Sequence, residues 1–172
     1  MRNRTLFAAL LLCATPALAG NLLSHPTFDT DLSGWAYVGT GIWDPSDALA
    51  QANSGSVVGT NSSASPFTYE TVLVSACLPV NAGAAYDASL DFRIPTGQGV
   101  TVNPFLEIAW YSQAGCSGLD YLGGNSIASG TTADGAWHRT ASASPATAPP
   151  AATHANVRVH ISKTQAGGVA TA

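Results

Sequence analysis

Four side chains on two alternating segments carry the most usable chemistry in this chain. Asp91 and Arg93 share one face of the run Tyr86 to Ile94 (YDASLDFRI). Glu107 and Tyr111 share one face of residues 102 to 111 (VNPFLEIAWY). Arg93 brings a rigid fork of N–H donors, Asp91 and Glu107 bring acceptors, and Tyr111 adds an aromatic face. Trp43 and Tyr69 are candidate aromatic walls from neighbouring segments. A few placed polar groups on an aromatic surface is the pattern of ligand recognition. The four act together only if both segments lie in one sheet. Otherwise Arg93 with Asp91 or Glu107 reduces to a cross-strand ion pair on a solvated face.

Bond-breaking chemistry finds less support. Asp29 with Asp31, and Asp44 with Asp47, are close acidic pairs in Gly-, Ser- and Pro-rich segments, where Asp caps turns. A glycosidase needs two carboxylates facing each other across a cleft. His25, His138, His154 and His160 show no His-x-x-x-His spacing for zinc. Ser54 and Ser56 lie among glycines but outside a Gly-x-Ser-x-Gly elbow. No Gly-rich phosphate loop follows a strand and opens a helix. Asn61-Ser62-Ser63 is a formal glycosylation sequon and carries no weight here.

The elements that must position these residues read as strands. No segment holds helical periodicity over a dozen residues, and short alternating runs are separated by Gly, Pro, Asn and Ser. The pattern predicts strands over 69–80, 86–94, 102–111, 137–141 and 156–162. Leu106, Ile108 and Trp110 face inward on one strand; Val157, Val159 and Ile161 do so on another, with Arg158 and His160 outward. Residues 115–124 read as a loop around Cys116. The Pro- and Ala-rich residues 144–155 read as an extended surface connection. Trp35, Trp110 and Trp137 are candidate core. Many short strands at this spacing predict an antiparallel β-sandwich.

Composition sets the compartment. Arg2 and Arg4, the apolar run Leu6 to Leu12, and Ala17-Leu18-Ala19 read as a secretion signal cleaved near Ala19. Export to the periplasm or medium follows, with residues 20–172 as one β-sandwich domain. The apolar run is too short to span a bilayer. Cys13 lacks the small residue that a lipobox wants before it. Losing Arg2 and Arg4 moves the formal charge from −4 to −6. Such an acidic surface argues against nucleic acid, which needs clustered Lys and Arg, and gives no support for an anionic membrane surface; with the short apolar run, no membrane insertion is expected. Cys77 and Cys116 remain, and an even count in an exported chain favours a disulfide over two free thiols.

Several runs, in order, resemble one family. Asn21 to Trp35 (NLLSHPTFDTDLSGW), Cys77 to Val80 with Ala82-Gly83 and Tyr86, Ile108 to Ser112 with Cys116, Gly135 to Arg139 (GAWHR) and Pro149 to Ile161 follow its pattern. The chain is similar to bacterial carbohydrate-binding modules of the galactose-binding-like jelly-roll superfamily, of the kind attached to cellulases. The resemblance implies a non-catalytic module that recognises polysaccharide or cell-surface glycan on a concave sheet face, alone or attached to a glycoside hydrolase. The rival readings are a structural or adhesive envelope domain of the same fold, and a small secreted hydrolase.

The resemblance also implies a structural calcium ion. Asp29 stands where the family usually has a Glu that helps bind it. The family's closing strand, whose Asp contributes to the same ion, should begin where this sequence stops at Ala172. On that reading either the sequence is cut short or the closing strand is missing.

Overall fold

The computed structural model describes residues 20–172. The segment expected to be a secretion signal, with Cys13 and the expected cleavage site, lies outside the described residues. In chain order the strands are β1 (Trp35–Tyr37), β2 (Ile42–Asp44), β3 (Ser56–Val58), β4 (Thr60–Asn61), β5 (Thr68–Ser75), β6 (Leu78–Pro79) and β7 (Ala85–Tyr86). They continue with β8 (Ser89–Phe92), β9 (Val102–Tyr111), β10 (Tyr121–Ser129), β11 (His138–Ala141), β12 (Ala146–Thr147), β13 (His154–Lys163) and β14 (Ala170–Thr171). All pairings are antiparallel.

The large sheet runs β1-β5-β13-β9-β10, and β6 takes over from β5 beside the start of β13. Strands β9 and β13 pair over their full lengths, His154 opposite Tyr111 through Lys163 opposite Val102. Alternation decides their inner faces. Val102, Leu106, Ile108 and Trp110 from β9 meet Ala155, Val157, Val159 and Ile161 from β13, all buried. Each such large side chain contributes about 1.5–3 kcal/mol by leaving water. Trp110 keeps its indole N–H satisfied by donating to Asn125 Oδ1 at 2.7 Å.

Four two-stranded pieces form the opposite layer: β8 with β11, β7 with β12, β2 with β3, and β4 with β14. Phe92 and Ile94 close the core from that side. This is the antiparallel jelly-roll β-sandwich that the alternation predicts.

The departures have local causes. The run 69–80 breaks into β5 and β6 at Ala76-Cys77, where Cys77 joins Cys116 in a disulfide with Cα atoms 5.7 Å apart. The run 86–94 breaks into β7 and β8. Residues 144–155 run over the surface but are more than a connection: β12 pairs with β7, and Ala146, Ala148 and Ala152 are buried, their small side chains letting the segment lie flat on the core. Trp35 and Trp110 are buried, whereas Trp137 is half-buried. Ala170 and Thr171 pair with β4, and Gly59 and Ala172 exchange both backbone hydrogen bonds, at 2.9 and 3.2 Å. Gly59 permits this close approach, since a Cβ there would sit 2.6 Å from Val72.

Asn61 fastens that corner. It is wholly buried, donates to the carbonyls of Thr68 (3.1 Å) and Ile161 (3.0 Å), and accepts from the Ser63 amide (3.1 Å). Asn61→Ala strands two carbonyls and one amide. It is expected to cost about 2–4 kcal/mol in urea denaturation, because an unsatisfied buried polar group costs about 1–3 kcal/mol. Ser62→Ala next to it should change stability by no more than about 0.5 kcal/mol.

Candidate functional site

The outer face of the large sheet holds the richest polar cluster. Its strands are walled in by their neighbours, so the outward side chains of β9 and β13 sit close and must bond one another. Glu107 is the centre. Its Oε2 faces His160 Nε2 at 3.0 Å and Arg158 Nη1 at 3.5 Å, and Oε1 accepts from the Tyr121 hydroxyl at 3.3 Å. Arg158 also donates to the Tyr111 hydroxyl and, through Nε, to Asn156 Oδ1 at 3.2 Å.

His160 is fixed on all sides. Thr71 Oγ1 meets its Nδ1 at 3.1 Å. Phe105 stacks on its ring (4.6 Å, 20°), and Tyr69 meets it edge-on at 4.9 Å. A carboxylate can only accept, so the imidazole proton belongs on Nε2, and Nδ1 accepts from Thr71. On the other flank the Arg158 guanidinium lies 5.5 Å from the Tyr121 ring centroid and 6.0 Å from that of Tyr111.

Two tyrosines of this cluster reach solvent: Tyr69 on β5 is 60% exposed and Tyr121 on β10 is 44% exposed. They stand on strands three apart in the sheet and are offset along it, Tyr69 level with Asn103 of β9 and Tyr121 with Tyr111, with Glu107, Arg158 and His160 between them. Gly124 on β10 makes room for the central carboxylate, since a Cβ there would fall 2.0 Å from Glu107 Oε1. The face therefore presents two aromatic platforms and a preset row of charged hydrogen-bonding groups.

The sequence-predicted residues divide between the two layers. Glu107, Tyr111 and Tyr69 belong to this cluster, with Tyr111 buried as a support rather than a stacking face. Asp91 and Arg93 do not join it, because β8 pairs with β11 in the opposite layer instead of with β9. There Asp91 accepts two hydrogen bonds from Arg139 (2.6 and 2.8 Å), and Arg93 lies over the Trp137 ring. Trp43 is not a wall of either. It packs on the core and donates its indole N–H to the Phe28 carbonyl at 2.9 Å, with Gly55 pressed against it. Arg158, His160, Phe105 and Tyr121 complete the cluster beyond the predicted set. The outward parity of Arg158 and His160 was the available signal.

A calcium ion takes six to eight oxygen ligands, and the oxygens around Asp29 have protein partners of their own. Asp29 itself accepts from Thr27 Oγ1. The neighbouring carbonyls already accept other donors. That of His25 takes the Phe28 amide and Trp35 indole, that of Thr27 takes Ser54 and Gly55, and that of Phe28 takes Trp43. Among the described residues no group of three or more His, Cys, Asp or Glu could hold a metal.

No protein-family model matches the chain, and no curated protein matches it. Solved structures share its fold. The Clostridium thermocellum endo-1,4-beta-D-xylanase 10B, whose family 22 carbohydrate-binding and catalytic modules were crystallised with xylohexaose, is 18% identical at a TM-score of 0.52, over 87% of this chain and 27% of that one. The enzymatically active domain of bacteriophage CBA120 tailspike protein 4 is 16% identical at a TM-score of 0.54, over 88% and 20%. A xylan-binding domain of a Paenibacillus barcinonensis protein is 11% identical at a TM-score of 0.51, over 84% and 96%. The chain thus spans about a quarter or less of the first two, but nearly all of the third. It has the jelly-roll architecture of these carbohydrate-binding modules.

Two outcomes follow from this geometry. The Glu107 carboxyl is held below the ordinary glutamate range, first by the His160 hydrogen bond and further by Arg158, against the opposing effect of burial. A depressed carboxyl stabilises the fold above the unfolded-state range and loses that contribution as pH falls through its folded value. Glu107→Gln should therefore be about 1–3 kcal/mol less stable than the parent at neutral pH. The gap should close as pH drops below the ordinary glutamate range, read by urea denaturation at stepped pH. A gap independent of pH would assign the loss to packing. Separately, EDTA should leave the calorimetric midpoint unchanged; a lower midpoint would put an ion at Asp29.

Proposed function

We propose that this chain is an exported, non-catalytic module that binds polysaccharide through the outer face of its large sheet. The carrying observation is the pair of exposed tyrosines, Tyr69 and Tyr121, flanking the Glu107–Arg158–His160 row. Tyrosine rings stack on the C–H faces of pyranose rings, and the row between them reads hydroxyls. Glu107 offers acceptor lone pairs and Arg158 offers donors. Every member is already held by a second partner, so little side-chain freedom is lost on binding.

The shared architecture supports the reading, and the names of two neighbours make xylan the first probe. Fold alone does not carry function across, so the site residues must decide. The described surface is one of recognition, because its central groups are tied to one another and lie on a sheet face. We further propose export after cleavage near Ala19, and calcium-independent binding, since the Asp29 loop is closed by its own hydrogen bonds.

Affinity electrophoresis and calorimetry with xylan, and then with a panel of soluble and insoluble glycans, test this. Tyr69→Ala and Tyr121→Ala are each expected to weaken binding about tenfold or more, the cost of truncating an aromatic anchor. Gly124→Ala should do the same by displacing Glu107, with the far-ultraviolet spectrum unchanged. A folded parent that binds no glycan, or variants that bind as the parent does, would move the chain to the structural or adhesive reading.

A further inference from the structure

The opposite layer carries a second polar set that the tyrosine face does not use. Strands β8 and β11 pair in register, with Arg139 opposite Asp91 and His138 opposite Phe92. One face of this ribbon is turned inward: Phe92 is buried and its ring lies 5.7 Å from that of His138. Continuing the register by one residue brings Trp137 opposite Arg93. The guanidinium lies 5.2 Å from the Trp137 ring centroid. The outward face of the ribbon thus bears Asp91, Arg139, Arg93 and Trp137 side by side.

Among the basic side chains of residues 20–172, Arg93 stands apart. Arg139 is paired with Asp91 at 2.6 Å, Arg158 with Glu107 at 3.5 Å, and Lys163 donates to the carbonyls of Gly167 and Gly168 at 3.2 and 2.8 Å. Arg93 has no carboxylate within 4.0 Å among the described residues. Asp44 is the carboxylate its field reaches, and that group is held by the Ser46 amide at 2.7 Å. The chain has ten acidic residues, of which Asp91, Glu107 and Asp134 are already paired, so an unpaired guanidinium on its surface is a departure from its own pattern.

The stacking leaves that guanidinium usable. A guanidinium lying on an aromatic ring spends its flat face and keeps its five N–H donors in the plane around its edge. Trp137 is half-buried, which fixes the ring and hence the fork. A fixed fork of N–H groups matches a carboxylate bidentately. The edge of the indole beside it can border a pyranose ring.

We propose that Arg93 and Trp137 form a second binding site, on the layer opposite the tyrosine face, that takes the carboxylate of a uronate-bearing polysaccharide. The proposal rests on the glycan-binding reading above and extends it to acidic sugars. Arg93 binds the carboxylate, Trp137 supports the guanidinium and borders the sugar ring with its edge, and the Asp91–Arg139 pair fixes the neighbouring rim. The acidic charge of the chain repels a polyanion at large, so retention by one requires specific contact at this patch.

The test uses residues 20–172 in affinity gels containing polygalacturonate or neutral xylan. The parent is compared with Arg93→Gln, Trp137→Phe and Tyr121→Ala, each checked for folding by circular dichroism. The expected result is retardation by polygalacturonate that Arg93→Gln weakens at least about tenfold, that Trp137→Phe largely keeps, and that Tyr121→Ala leaves alone. Polygalacturonate retardation equal in the parent and Arg93→Gln would overturn the proposal. So would its loss in Tyr121→Ala alone. Xylan binding without polygalacturonate binding would remove this site and leave the tyrosine face standing. Arg93-dependent polygalacturonate binding without any neutral ligand would keep this site and remove the other. Binding of neither by the folded parent would end both.

Discussion

Strands β9 and β13 pair over ten residues each, and both are flanked on the far side by another strand, so neither offers a free edge to water. That constraint organises the molecule. Their inner faces supply most of the large-sheet side of the core. On their outer faces, adjacent strands about 4.8 Å apart bring the side chains close together. Polar groups placed there must find partners in the protein. Glu107, Arg158, His160, Thr71 and Tyr111 are that set of mutual partners, and Asn103 Oδ1 is the one buried side-chain polar atom among the described residues without one. The candidate site is thus a by-product of burying two strands on both faces.

The parts of this that could be read from the sequence are those that local alternation encodes. β9 spans the predicted residues 102–111, and its inward Leu106, Ile108 and Trp110 are buried. The outward parity of Arg158 and His160 was equally visible. What alternation does not encode is which strands lie side by side. Glu107 meets His160 across a separation of 53 residues, whereas Asp91 and Arg93, much nearer in sequence, fold into the other layer. Proximity along the chain favoured the wrong neighbours because β8 and β9 sit in different sheets.

β10 was hidden for a different reason. Its residues, YLGGNSIAS, include glycines, Ser and Asn that favour turns and weaken strands. It is a strand because β9 offers it a partner, with register shifts after Tyr121 and Ser126. The same low-propensity residues have a use. Gly124 leaves the volume that the Glu107 carboxylate occupies, so a residue that weakens the strand shapes the site. The buried alanines of 146–152 show the converse, since Pro- and Ala-rich composition reads as surface but also suits a flat segment pressed on a core.

The row Thr71–His160–Glu107 has the hydroxyl–imidazole–carboxylate order of a nucleophilic relay, so its role needs an argument from geometry. A general base must reach the proton it removes and then be free to release it. His160 is 1% exposed, stacked beneath Phe105 and bordered by Tyr69. Both ring nitrogens are occupied, and an imidazole locked on two sides orients its neighbours instead of exchanging protons with a substrate. Its effect falls on Glu107, whose carboxyl it holds in the charged form. A carboxylate held toward its charged form beside Arg158 is an acceptor of fixed direction. The buried histidine therefore keeps the accessible groups in place.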